Sequence, residues 1–184
     1  MYSIISELDA ESSHLVKKLW ARLGESCGLR GIYQFPTPHF TWFVTDEIDL
    51  LNARAIIDDL SNRMKEFRTY AFGLGLFSGS RPVLYSPVVK SQAMIDIHKI
   101  VWSELQSCTD CAHEYYAPRF WLPHITLAIN DLNQENLSCI LESIAFETFS
   151  LTMTIDNLII VAQSDNPANN VLYQYRFSET GGES

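Results

Sequence analysis

The chain has 184 residues, 47% of them hydrophobic and 19% charged, which is enough to bury a core as one domain or two small lobes. With 13 Lys and Arg against 22 Asp and Glu, the net charge of −9 disfavours adhesion along extended nucleic acid, where many basic residues must displace counterions. No apolar run is long enough to span a bilayer, and the opening Met1-Tyr2-Ser3-Ile4-Ile5 lacks a basic start, so a cytoplasmic protein with no membrane partner is expected.

Tyr2 to Ser6 reads as a short strand, and Val16, Leu19, Trp20 and Leu23 then recur at helical spacing until Gly24 or Gly28. A second strand, Phe40 to Thr45, is rich in aromatic and β-branched residues; Ala53, Ile57, Leu60 and Met64 then mark one stripe of a helix. Tyr70 to Phe77 and Pro82 to Val89 are β-rich runs joined by Ser78-Gly79-Ser80, a predicted hairpin. Met94, Ile97, Val101 and Leu105 share one face of a third helix. Leu122 to Ile129 reads as a strand, and Asn133 is the expected cap of a helix presenting Leu137, Ile140, Leu141 and Ile144. Leu151 to Ala162 and Val171 to Phe177 close the chain as strands around the turn-rich Ser164-Asp165-Asn166-Pro167, with residues 179–184 as a frayed tail. The unit order strand, helix, hairpin thus occurs twice, which predicts an α+β fold over residues 1–178 with two pseudo-symmetric lobes. Its two mostly antiparallel sheets would be flanked by helices, with a central groove between the lobes.

Each unit carries the same phrase: Pro38-His39-Phe40-Thr41-Trp42 in the first and Pro123-His124-Ile125-Thr126-Leu127 in the second. Strand side chains alternate between faces, so His39 and Thr41 share one face, as do His124 and Thr126, while Phe40 and Ile125 point into the core. Two imidazoles, each beside a hydroxyl, suit acid–base chemistry on a phosphodiester. The other histidines, His14 and His98 in helices and His113 in a loop, need no more than solvated or capping roles. Cys27, Cys108, Cys111 and Cys139 are expected to be reduced, and Cys108-Thr109-Asp110-Cys111 lacks a second Cys-x-x-Cys knuckle to close a zinc site. Bound zinc or a redox-active disulfide on Cys108 and Cys111 would mark the competing reading of a metal or thiol protein.

The paired Pro-His-x-Thr phrases resemble the two-histidine phosphoesterase superfamily, which includes the 2′-5′ RNA ligase-like proteins. Trp121 to Ala128, leading into Asp131-Leu132 and Glu135-Asn136-Leu137, is similar to that family's second motif and following helix. The resemblance implies a bilobal fold, metal-independent and cofactor-free action on 2′,3′-cyclic or 2′-5′ phosphodiesters, and roles for His39, Thr41, His124 and Thr126. Some relatives place an Arg shortly after the second motif, where this chain has Ala128-Ile129-Asn130.

On this reading the two histidines act as base and acid and the two threonines hold phosphate oxygens, with a small nucleotide or an RNA end as substrate and a monomer as the working form. Tyr85 is a candidate to stack on a base, ahead of Phe43, Tyr115, Tyr116 and Tyr173. Arg81, on the same alternating face as Tyr85, is a candidate phosphate contact. The alternatives are a 2′-5′ phosphodiesterase or ligase-like enzyme, and a non-catalytic module that binds a nucleotide or RNA end.

Overall fold

The structure, a computed structural model, describes residues 1–35, 37–163 and 170–178. β1 (Tyr2–Glu7) leads into α1 (Ala10–Cys27), where the Asp9 side chain accepts from the Ser12 amide at 2.8 Å and Gly28, at φ 74°, ends the helix in a conformation that glycine adopts without strain. β2 (His39–Thr45) and α2 (Leu50–Arg63) follow, with Asp49 as cap. Next come β3 (Phe67–Phe72), β4 (Gly75–Phe77), β5 (Val83–Pro87) and α3 (Gln92–Leu105). The second phrase opens β6 (His124–Ile129), and α4 (Leu137–Ile144), β7 (Ser150–Ile155), β8 (Asn157–Ala162) and β9 (Val171–Arg176) complete the described elements.

The first sheet runs in the order β2-β1-β8-β9 with every pair antiparallel. The second combines β4-β5-β6 with β3-β7, joined where Ala71 pairs with Val88 and the Val89 amide donates to the Tyr70 carbonyl at 2.7 Å. Helices α2 and α3 pack against the first sheet and α1 against the second, with α4 packed on α1, so α1 and α3 each cross to the lobe that does not hold the strand before them. One continuous apolar cluster links both sheets through Phe40, Trp42, Met94, Trp121, Ile125 and Met153. This is the expected α+β architecture of paired antiparallel sheets with flanking helices.

Several local expectations are corrected. The run Tyr70 to Phe77 is not one arm of a hairpin: Gly73, at φ 73°, breaks it, so β3 pairs with β7 and only β4 forms the hairpin with β5. Leu151 to Ala162 is not one strand but two, parting at Asp156, with β7 in the second sheet and β8 in the first. The α4 cap is Asn136; Asn133 instead accepts from the Glu135 and Asn136 amides in the preceding turn. Cys27 and Cys139 form a disulfide between α1 and α4, against the expectation of four reduced thiols, while Cys108 is free and buried and Cys111 free and exposed. The turn at residues 164–167 and the tail at 179–184 lie outside the described residues. No helix among the described residues is long and apolar enough to cross a membrane.

Candidate active site

β2 and β6 lie side by side at the junction of the two sheets and bring the two phrases together. In each, the small Thr and the His occupy partly exposed positions while Phe40, Trp42, Ile125 and Leu127 are buried, so the alternation predicted from the sequence is realised on both strands. The imidazoles are held alike. His39 Nδ1 lies 2.8 Å from the Thr37 carbonyl, and His124 Nδ1 lies 2.7 Å from the Leu122 carbonyl. A carbonyl can only accept, so both Nδ1 atoms carry the proton and each Nε2 keeps the lone pair. Among the described residues neither Nε2, nor the hydroxyl of Thr41 or Thr126, has a hydrogen-bond partner.

Burial lowers the pKa of His39 below the ordinary imidazole value; the Thr37 carbonyl opposes the shift, a charge on His124 adds to it, and Glu7 opposes it. Burial likewise lowers His124, against its bond to Leu122. That a proton on His124 is felt at His39 means the rings share one electrostatic neighbourhood. The ordinary pKa of imidazole places one cationic and one neutral ring near pH 7; both shifts displace that mixed state toward acid.

The strands are braced crosswise by two tryptophans not singled out in the sequence as site residues. Trp121 Nε1, just before β6, donates to the Thr41 carbonyl at 2.9 Å, and Trp20 Nε1, on α1, donates to the Thr126 carbonyl at 3.1 Å. Only the pseudo-symmetry of the lobes hints at this pairing. His98 stacks on Trp121 with centroids 3.8 Å apart, and its Nε2 lies 3.1 Å from the Trp42 carbonyl. This corrects its expected solvated role: it is 1% exposed and props the indole that holds Thr41. Burial pushes its pKa down to about 4, outweighing the Trp42 and Tyr116 carbonyls, which favour the proton. The folded state therefore resists a proton that the unfolded chain accepts below about pH 6.5, and stability drains away as pH falls from there toward 4. We expect His98→Gln to remove up to about 2 kcal/mol of that acid sensitivity, read as the difference between variant and wild type in urea unfolding at pH 7 and pH 4.5. An identical pH slope in the two proteins would contradict it.

A buried network fixes the strand beside His39. Asn157 donates to the Glu7 carbonyl and accepts from the Glu7 amide at 2.9 and 2.8 Å, and Glu7 is the register partner of His39. Ser6 Oγ, which donates to the Asn157 carbonyl, accepts from Trp42 Nε1. Beyond β6, Asp131 Oδ2 accepts from the amides of Arg30 and Gly31, and a Cβ on Gly31 would meet the Ile129 carbonyl at 2.0 Å. The segment leading to His39 is thus clamped against the strand end that follows Thr126.

Aromatic rings flank each imidazole. Phe35 lies 5.4 Å from His39; Tyr85 lies 5.2 Å and Phe77 5.0 Å from His124, and these two rings stack at 4.2 Å. Tyr85 is the register partner of Thr126, and its ring fills the space a Cβ on Gly75 would take, 2.3 Å away. Arg81 is not on that strand: β5 starts at Val83, and Arg81 sits exposed in the preceding loop. Phe43 is fully buried against Trp102, which removes it as a base platform. A cavity of about 560 Å³ at the start of α1, lined by Asp9, His14, Lys17, Thr154, Asp156 and Arg176 among others, contains neither His39 nor His124. Its carboxylates are engaged within the protein, Asp9 by the Thr154 amide and Asp156 by Arg176.

Residues 8–167 match the family described as the 2′-5′ RNA ligase superfamily. The fold is similar to the protein TT0787 of Thermus thermophilus, with a TM-score of 0.67 at 17% identity over 96% of this chain and 97% of that one. It is also similar to E. coli LigT complexed with 3′-AMP (TM-score 0.61, 13% identity, 97% and 98% covered) and to a structure described as a phosphoesterase (TM-score 0.58, 13% identity, 97% and 98% covered). No curated protein matches the sequence.

Proposed function

The chain belongs to the 2′-5′ RNA ligase superfamily, and we propose that it hydrolyses 2′,3′-cyclic phosphodiesters of nucleotides or RNA ends with His39 and His124 as its base and acid. The observation that carries this reading is the matched setting of the two rings, each with Nδ1 against the carbonyl two residues before it, which leaves both Nε2 atoms for chemistry. In the mixed state one Nε2 takes a proton from water as its oxygen attacks phosphorus. The other Nε2–H gives its proton to the departing ribose oxygen. The phosphorus–oxygen ring bond breaks, a phosphomonoester remains, and solvent restores the two protonation states. Thr41 and Thr126, with unengaged hydroxyls, hold the non-bridging oxygens and the charge that grows on them.

Tyr85 supports the terminal base and Arg81, from its loop, a phosphate. The LigT structure holds 3′-AMP, a nucleoside monophosphate like the product of ring opening, which supports a ligand of that size here. We place the working enzyme in the cytoplasm as a monomer, with residues 1–178 as one unit.

Incubation with each nucleoside 2′,3′-cyclic phosphate and with 2′-5′ oligoadenylate, followed by resolution of the products, tests the proposal. The expected result is opening of the cyclic phosphate to one monophosphate isomer, unchanged by EDTA. Because both rings are shifted down, kcat/KM should follow a bell with its maximum below pH 6.5. The kcat profile should lie to its alkaline side, since a bound phosphate anion favours the imidazolium. Tight binding without turnover would instead mark a binding module, and activity that EDTA abolishes and zinc restores would overturn the mechanism.

A further inference from the structure

The face of the second sheet that carries His124 and Thr126 continues well past them. Pro87 and Tyr85 are their register partners on β5 and share that face. Just past the end of β5, Val88 is buried opposite Ala71, so Val89 and Tyr70 turn back to the face of Pro87. On β3 that face bears Arg68, Tyr70 and Phe72, and on β7 their partners Thr154, Thr152 and Ser150. Tyr70 is 51% and Phe72 61% exposed, an unusual amount of ring for strands whose other face is core. None of these strand positions carries a carboxylate, in a chain with 22 of them and a net charge of −9.

Tyr70 and Phe72 sit two residues apart on one face, about 7 Å along the strand, a gap that admits one flat base between two rings. β3 lies two strands from β6, about 10 Å from His124. Exposed rings on a sheet face, one guanidinium and a row of hydroxyls form a platform for single-stranded nucleic acid. A protein partner is less well served, because the face runs directly into the groove that holds His124 and Thr126.

We propose that Arg68, Tyr70 and Phe72 form a second nucleobase subsite, so that the preferred ligand is the 3′ end of a short single-stranded RNA rather than a free mononucleotide. The terminal nucleotide lies at His39, His124 and Tyr85; the base preceding it stacks on Tyr70 and Phe72, with Arg68 on a backbone phosphate. This rests on the groove being the site for a phosphate-bearing end, and it agrees with a net charge that disfavours long nucleic acid, since only a few nucleotides are held.

The test compares a short 3′-phosphorylated oligoribonucleotide with a nucleoside 3′-monophosphate in equilibrium binding, and their 2′,3′-cyclic counterparts in turnover. Wild type should bind and turn over the oligomer at least about tenfold better. The double substitution Tyr70→Thr with Phe72→Thr, at exposed positions where Thr suits a strand, should cost the oligomer about tenfold and leave the mononucleotide unchanged. Arg68→Gln should flatten the salt dependence of oligomer binding alone. Equal affinity of wild type for both ligands, or a variant that weakens both alike, overturns the subsite. So does a variant that converts a dimer to a monomer without touching oligomer binding, which would make this face a self-association surface. Selective oligomer binding without turnover of either cyclic substrate retains the subsite and sinks the hydrolytic reading.

Discussion

Replacing either His39 or His124 by Ala is expected to lower kcat/KM by about a thousandfold, since ring opening needs a proton accepted on one side of phosphorus and delivered on the other. The fold should survive. Both rings are only partly buried, and each substitution frees one backbone carbonyl, at Thr37 or Leu122, to take water. A loss of about 1 kcal/mol in urea unfolding is the expected extent. Base and acid act in one step, so the double variant should fall little below either single one instead of by the product of the two losses. Thr41→Val or Thr126→Val should cost about tenfold to a hundredfold, because each removes one donor to a phosphate that keeps its other contacts. Turnover at the wild-type rate in either single His variant would sink the assignment of that residue.

Loss of the Cys27–Cys139 bridge is expected to have the largest effect on stability. It ties residues separated by 112 positions, and closing so long a loop removes about 4 to 5 kcal/mol of chain entropy from the unfolded state. Of the two helices it joins, α1 packs on the second sheet and carries the Trp20 indole that braces Thr126, and α4 packs on α1. Cys27→Ser or Cys139→Ser, or wild type in excess reductant, should therefore unfold at markedly lower urea concentration, with activity retained while the protein stays folded. In the reducing cytoplasm proposed above, the bridge is the feature most exposed to challenge. Alkylation of unfolded protein prepared without reductant should label Cys108 and Cys111 only; four labelled thiols would show that the bridge is not formed.

Much of the site was legible because it is local. A His and a Thr two residues apart on an apolar strand must share a face whatever the strand pairs with, and two copies of the phrase predicted a shared groove before any pairing was known. The helices were legible for the same reason, since Val16, Leu19, Trp20 and Leu23 define a buried stripe by spacing alone. One boundary is also written in the local pattern. Leu151-Thr152-Met153-Thr154-Ile155 alternates, whereas Leu158-Ile159-Ile160 is continuously buried, so the period changes at Asp156, where an edge strand gives way to a central one.

The sequence by itself determined the face that each His and Thr of the two phrases occupies on its strand, and the repeat of one unit order, because alternation and helical period are properties of a few neighbouring residues. Only the tertiary structure decided which strand adjoins which. Through that came the crosswise tryptophan braces, the clamp at Asp131, the downward shift of both imidazoles, and the pairing of Cys27 with Cys139. Each of these depends on contacts between residues far apart in the chain. Such contacts are set by the packing of the whole core, and no local pattern of spacing encodes them.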